Sequence, residues 1–234
     1  MILKNFEDLP EYMQNDEVKK YYDLLQKKKV SLILKRTLDI IFSFVLIIVL
    51  LPILIILSIC IKIDSKGPVF FRQERITTYG KIFKIFKFRT MIKDADKKGS
   101  LVTQKEDYRI TRVGKLIRKL RLDELPQLIN ILCGDMSFVG TRPEVKKYVD
   151  KYTDEMNATL LMPAGVTSIA SIEYKDEDEI IASLINDGKT VDEIYVQNIL
   201  PEKMKYNLEY IERFSIINDI KIVFKTVLKV LLRI

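Results

Sequence analysis

Apolar residues are spread unevenly along this chain. Ile40 to Ile61 forms a run of twenty-two residues without a charge, interrupted in character only by Ser43, Pro52 and Ser58. A straight helix of that length spans a bilayer core of about 30 Å. Pro52 sits near its middle, where it has no amide hydrogen to give and its ring crowds the carbonyl of Ile48, so a bend is expected there. Both flanks are basic: Lys27, Lys28, Lys29, Lys35 and Arg36 precede the run, and Lys62, Lys66 and Arg72 follow it. Basic flanks stay on the cytoplasmic side. A helix that enters, bends at Pro52 and returns satisfies both flanks, while a plain spanning helix satisfies the length. Proline is tolerated in either. Asp39 marks the edge of the run, beside Lys35 and Arg36.

Outside that run the pattern is mostly helical. Residues 1–29 are charge-balanced, and Glu11 to Lys29 are mostly helix formers. Gly67-Pro68 breaks the chain. Val69 to Arg72 and Lys81 to Phe88 alternate imperfectly around Tyr79-Gly80, which predicts a β-hairpin. Lys93 to Arg109 is polar and predicts a surface loop with a helical portion, and Thr111 to Leu120 a helix. The next helix is expected to begin near Asp123 or Glu124, with Pro126 in its first turn, a stripe of Leu125, Leu128, Ile129 and Leu132, and a stop at Gly134. Met162 to Gly165 is expected to turn. Glu173 to Ser183 reads as an acidic helix start and Glu202 to Phe214 as a helix. In Ile216 to Ile234, Lys221, Lys225 and Lys229 share one helical face, with Ile220, Val223, Phe224, Val227, Leu228 and Leu231 on the other. Such a helix can lie in the headgroup layer or pack on its own domain. The expected fold is therefore α+β and mostly helical.

Composition adds a charge bias. The chain has 234 residues, 48% of them hydrophobic, and a net charge of +7. Lys81 to Arg121 carries fourteen basic and four acidic residues, whereas residues 1–29 carry six of each. Anionic partners are favoured. There is no histidine, which removes imidazole acid–base catalysis and histidine metal sites. Cys60 and Cys133 lie far apart, so neither zinc spacing nor a disulfide framework is visible.

The candidate chemistry lies at Asp123-Glu124. Arg118 and Arg121 stand just before these carboxylates and Arg142 after them. Guanidinium groups bind phosphate in pairs. A carboxylate among them can stay ionised and attack phosphorus, forming an acyl phosphate. Taken alone, adjacent Asp-Glu is more often a helix cap with a solvated partner. The facing carboxylates of glycoside hydrolysis are poorly served by sequence neighbours. Asp94-Ala-Asp96 and Asp176-Glu-Asp178 both imitate a metal motif, and both read as surface. No Gly-x-Gly-x-x-Gly or Walker loop occurs. Lys81, Lys84 and Lys87 between phenylalanines fit nucleic acid, but anionic lipid or phosphate explains them equally well.

Five blocks in order carry a family resemblance: Lys35-Arg-Thr-Leu-Asp39, Gly67-Pro-Val-Phe-Phe-Arg-Gln73, Phe86-Lys-Phe-Arg-Thr-Met91, Leu122-Asp-Glu-Leu-Pro-Gln-Leu128 and Gly134-Asp-Met-Ser-Phe-Val-Gly-Thr-Arg-Pro143. From about Leu34 onward the chain resembles the bacterial sugar transferases, the monotopic polyisoprenyl-phosphate hexose-1-phosphate transferases, or phosphoglycosyl transferases. The resemblance implies a ping-pong reaction. Asp123 would attack the sugar-bearing phosphate of a UDP-sugar and release UMP, and polyprenyl (undecaprenyl) phosphate would then take the phosphosugar, starting a surface glycan. Glu124 matches the second member of the dyad, as proton handler or metal partner. Lys87, Arg89, Arg118 and Arg142 match basic positions expected to hold phosphate oxygens. Magnesium is implied as cofactor, with Asp123 and Glu124 as its protein ligands. So is a re-entrant helix broken at Pro52, dividing the chain into an extension (1–31), a membrane helix (32–64) and a catalytic domain (65–234) at the cytoplasmic face of the bacterial cell membrane. Inner-membrane lipids are implied partners, nucleic acid is not, and a homodimer stays open. The sequence departs from the family at Leu51-Pro52, where Ser-Pro is common, and at Met162 to Ser171, which replaces an Arg-Pro-Gly-[Ile/Leu]-Thr-Gly-x-x-Gln segment. Two rivals remain: a non-catalytic membrane-surface adaptor binding anionic lipid or nucleic acid, and a glycosyltransferase without a covalent step, which would release UDP.

Overall fold

The apolar run lies inside a single helix. In the computed structural model, which describes residues 2–95, 107–174, 181, 183, 184 and 190–232, α1 (Asp16–Gln26) leads into α2 (Lys29–Asp64), 36 residues long with Pro52 inside it. The expected break at Pro52 is thus not an interruption. Proline removes one amide donor, and the leucine- and isoleucine-rich turns on either side carry the helix through. α2 packs along one face. Leu32, Lys35, Asp39, Ser43 and Ile61 are buried, and Leu46, Ile47, Leu50, Leu54 and Leu57 lie against the core between them. This spacing of three and four residues is one helical stripe. The opposite face exposes Phe42, Val45, Ile48, Val49, Ile55, Ile56 and Ile59.

Both ends of α2 are tied to the same globular body. At the start, Lys35 Nζ lies 2.6 Å from Asp219, Arg36 donates to the carbonyls of Ile131 and Leu132 at 2.6 and 3.0 Å, and Asp39 accepts the Phe138 amide at 3.2 Å. At the far end, the Val113 amide donates to Asp64 at 3.0 Å. The N-terminal stretch is also built in. Asn15 caps α1 by accepting the Val18 amide at 2.9 Å, and Leu3, Leu9, Met13, Val18, Tyr22 and Leu25 join one core with Val139, Leu161, Ile211 and Phe214.

The hairpin forms as expected. β1 (Phe70–Ile76) pairs antiparallel with β2 (Ile82–Phe88), Phe70 opposite Phe88, and Tyr79 and Gly80 take positive φ (59° and 75°) in the turn. Phe83 and Ile85 pack under Leu46, Ile47 and Leu50, and Phe88 under Leu54 and Leu57. The hairpin lysines each meet a carboxylate: Lys81 with Asp135 (3.0 Å), Lys84 with Glu74 (3.8 Å) and Lys87 with Glu124 (2.9 Å). α3 (Arg112–Lys119) is capped by Thr111, which accepts the Gly114 amide. α4 (Gln127–Cys133) starts later than expected. Asp123 and Glu124 occupy a 3₁₀ turn (Leu122–Glu124) ahead of it, Pro126 precedes its first residue, and Gly134 ends it at φ 92°.

One pairing went unread in the sequence. β3 (Met136–Val139) is followed by the short α5 (Lys146–Val149), and then by β4 (Ala164–Thr167), which runs parallel to β3 with Met136 opposite Ala164. Met162 to Gly165 is therefore not a turn. The strands meet because Gly140 and Gly165 are bare: a Cβ on Gly165 would lie 2.3 Å from the Gly140 nitrogen. α6 (Ile169–Glu173) follows, capped by Ser168. α7 (Val191–Ile194) passes through a π-helical turn (Tyr195–Ile199) into α8 (Leu200–Glu212), and α9 (Ile216–Leu232) closes the described chain. Asp96, most of the Lys93–Arg109 loop, Asp176 to Asp178 and most of the expected Glu173–Ser183 helix lie outside the described residues.

α9 is two-sided. Asp219 and Ile222 are buried, while Ile217, Ile220, Phe224 and Val227 are exposed. Its lysine row turns toward α6 as well as outward. Lys221 is exposed, Lys225 lies 3.7 Å from Glu173, and Lys229 donates to the Ile172 carbonyl.

Candidate active site

The turn that carries the two carboxylates is made by Arg121. α3 ends at Lys119, and Arg121 adopts φ 56°, a left-handed conformation uncommon for a non-glycine residue and found at functional turns. The reversal sets Asp123 and Glu124 beside β2 and α3. Lys87, from β2, reaches Glu124 Oε1 at 2.9 Å. Arg118, from α3, is steadied by its Nε donating to Thr90 Oγ1 at 2.7 Å. Arg142, beyond β3, donates from Nη1 to Ser171 Oγ at 2.9 Å, and its amide donates to Asn207 Oδ1 at 3.3 Å.

This setting drives the two carboxyl groups apart. Burial pushes Asp123 above the ordinary carboxylate range and the neighbouring Glu124 charge adds to that, with Lys87 and Arg118 only partly offsetting it. Burial also pushes on Glu124, but Lys87, Arg121 and Arg142 outweigh it and its pKa is lowered. Divergent environments around paired acids separate their roles. Glu124 is the firmly ionised partner. Asp123 is the more basic of the two.

An open cleft of about 780 Å³ reaches the dyad at Glu124. Glu124, Arg121 and Arg142 line it together with Leu46 and Leu50 of α2. Charged and apolar side chains thus share one cavity. Lys87 and Arg118 act on Asp123, and Lys87 and Arg142 on Glu124. Arg89 does not join them. It is buried (6% exposed), and it donates to the carbonyls of Lys66 and Ser65 at 3.1 and 2.7 Å, to Ser65 Oγ at 2.9 Å and to the Ile61 carbonyl at 3.4 Å. It clamps the end of α2, where orphan carbonyls favour a cation, so phosphate binding by Arg89 does not fit.

Some cleft residues escaped sequence reasoning. Lys203 lines the cleft yet is 2% exposed. Its Nζ lies 3.3 Å from Tyr195 Oη and over that ring, and Tyr195 in turn donates to Glu144 at 2.8 Å. In Pro-Glu-Lys-Met-Lys it looks like any solvated helix lysine. Asn207, which is outside the cleft lining and accepts the Arg142 amide, carried a signal, being a polar residue in the stripe of Met204, Leu208 and Ile211. Ser171 and Lys119 also line the cleft and carried none, while Lys229 was marked only as part of a basic helical face.

Magnesium can be tested against the donor set. Among the described residues no group of three or more acidic or cysteine side chains could hold a metal. Asp123 and Glu124 are two carboxylates, one shared with Lys87. That fits an ion bound through one or two carboxylates that draws its other ligands from water and substrate phosphate.

Comparison with known proteins gives the family. The family model described as bacterial sugar transferase matches residues 30–233. The chain is 34% identical over 201 residues to the UDP-N-acetylgalactosamine-undecaprenyl-phosphate N-acetylgalactosaminephosphotransferase of Aeromonas hydrophila, covering 85% of this chain and 44% of the relative. It is 35% identical over 205 residues to the UDP-glucose:undecaprenyl-phosphate glucose-1-phosphate transferase of Escherichia coli (strain K12), covering 86% and 40%. It is 34% identical over 196 residues to the protein of the same name from Caulobacter vibrioides, covering 82% and 68%. The chain thus spans less than half the length of the first two.

Proposed function

The chain belongs to the bacterial sugar transferase family, and on that premise we propose that it transfers a sugar-1-phosphate from a UDP-sugar to undecaprenyl phosphate, the first step of a surface glycan. The observation that carries the reading is the cavity in which Glu124, the sequence neighbour of Asp123, shares one lining with Arg121, Arg142 and Leu46 and Leu50 of the apolar helix. A water-soluble sugar nucleotide and a lipid phosphate must meet at such a boundary.

The chemistry divides into two displacements. An Asp123 carboxylate oxygen attacks the sugar-bearing phosphorus. The bond from that phosphorus to the bridging oxygen breaks, and UMP leaves with the electron pair. A phosphate oxygen of the lipid then attacks the same phosphorus and releases Asp123, giving the polyprenyl-diphosphate sugar. Arg118 and Arg142 are placed to hold the non-bridging oxygens. Lys87 keeps Glu124 ionised and so fixes charge beside the nucleophile. Magnesium, held by Asp123 and Glu124, would neutralise diphosphate charge. The reading places both ends of α2 and the catalytic body on the cytoplasmic face of the membrane. The relatives are named as transferases, which gives the adaptor reading no support.

The test is UMP release from a panel of UDP-sugars with undecaprenyl phosphate in detergent. Wild-type protein should release UMP and Asp123→Asn should not, with a loss of at least about 10³-fold for a missing nucleophile. Release of UDP instead, or full turnover by Asp123→Asn, would overturn the covalent mechanism.

A further inference from the structure

The cleft is lined by both charged and apolar side chains. Its lining mixes Arg142, Ser171 and Lys203 with Leu46, Leu50 and Val166. Thr226 and Lys229 of α9 enter the lining as well. Thr226 is already spent: it donates to the Ile222 carbonyl at 2.8 Å and pairs with Thr167 at 2.7 Å. Lys229 contributes a cation, turned inward onto the Ile172 carbonyl.

Resting on the reading above, we propose that Lys229 receives the phosphate of the acceptor lipid, whose hydrocarbon chain leaves the cleft sideways over Leu46 and Leu50. Three observations converge on this. The two helices that supply these lining residues, α2 and α9, are joined by the Lys35–Asp219 pair. Each turns an exposed apolar face outward: Val45 and Val49 on α2, Phe224 and Val227 on α9. A chain lying against those faces reaches the cleft without crossing water. Lys229 differs from its row-mate Lys221, which is exposed and outside the cleft lining. A lysine suits a monoester phosphate because it acts as a mobile point charge on a stem that packs along apolar walls. The cations nearer the dyad, Arg121 and Arg142, are left for the nucleotide diphosphate.

Donor and acceptor affinities separate the possibilities. In Lys229→Met the acceptor KM should rise about tenfold or more, with the donor KM moving less than about threefold. Lys229→Arg should recover most of the loss, and Lys221→Met should change neither constant. An unchanged acceptor KM in Lys229→Met overturns the proposal. So does an equal loss in Lys221→Met, which would make the lysine a general membrane attractant, and so does an equal rise in both KM values. Binding of undecaprenyl phosphate to the Asp123→Asn protein, followed by native mass spectrometry, tests the site without turnover. Lys229→Met should weaken it about tenfold or more, and excess phosphatidylglycerol should not compete. A wild-type protein that releases no UMP sinks the catalytic reading instead, and leaves this binding result to stand or fall by itself.

Discussion

At the residue scale, the two adjacent acids illustrate how neighbours assign roles. The raised pKa of Asp123 means that the folded state binds a proton there more readily than the unfolded chain does. Stability is then lost as pH rises from the ordinary carboxylate range through the raised value, and at neutral pH the ionised group is a cost. Asp123→Asn should accordingly melt higher than wild type in metal-free buffer at neutral pH, even as activity disappears. A lower melting temperature would mean that the carboxylate is a structural partner. Asp107 has the opposite sign. Its hydrogen bonds from Arg109 lower its pKa to about 2, so its contribution is intact above the unfolded value and fades as pH falls toward 2. Acid unfolding of Asp107→Asn should lack that component, which titration by circular dichroism would reveal. Arg89 shows where sequence blocks mislead. The Phe86 to Met91 block marks both Lys87 and Arg89 as basic, but it cannot say that one faces the dyad and the other the end of α2. Arg89→Ala should cost about 2–4 kcal/mol of stability by stripping several buried carbonyls of their donor. Arg142→Ala should instead raise the donor KM with little change in melting.

At the element scale, the parts with strong local signals were legible. The hairpin was readable from alternation around Tyr79-Gly80, α3 as the helical stretch Thr111 to Leu120, and α9 from its lysine and apolar faces. The β3–β4 pair was not, because it has no local cause. Four residues in each strand are too few to set a period, and the strands meet only because Gly140 and Gly165 let two backbones touch. The same contact yields a prediction. Gly165→Ala places a methyl group 2.3 Å from one backbone nitrogen and 2.4 Å from the Thr167 carbonyl oxygen, where no flexible side chain can give way. The strands must part, and Val166 and Thr167 move out of the cleft wall. A fall in melting temperature of several degrees with loss of turnover is expected; a variant with wild-type melting and kinetics would show that the pairing does not shape the site.

At the scale of the whole molecule, the question is how a long apolar helix can belong to a catalytic body. A straight helix of 36 residues is about 54 Å long, ample to cross a bilayer. Crossing would put its ends on opposite sides of about 30 Å of hydrocarbon. Here its start is held by Asp219 and the carbonyls of Ile131 and Leu132, and its end by Arg89. One body cannot grip both ends across a bilayer. Between them, Leu46, Leu50, Leu54 and Leu57 lie on that same body, and only the outer face is left for lipid. Hydropathy alone could not tell these cases apart, since it measures length and not what each face touches. Single cysteines at Lys29 and Lys62, with Cys60 and Cys133 replaced by serine, should therefore react with a membrane-impermeant maleimide from the same side of sealed vesicles. Lys29→Cys and Lys62→Cys labelling from opposite sides would mean that the Arg89 clamp and the Lys35–Asp219 pair cannot both exist in the membrane-bound protein.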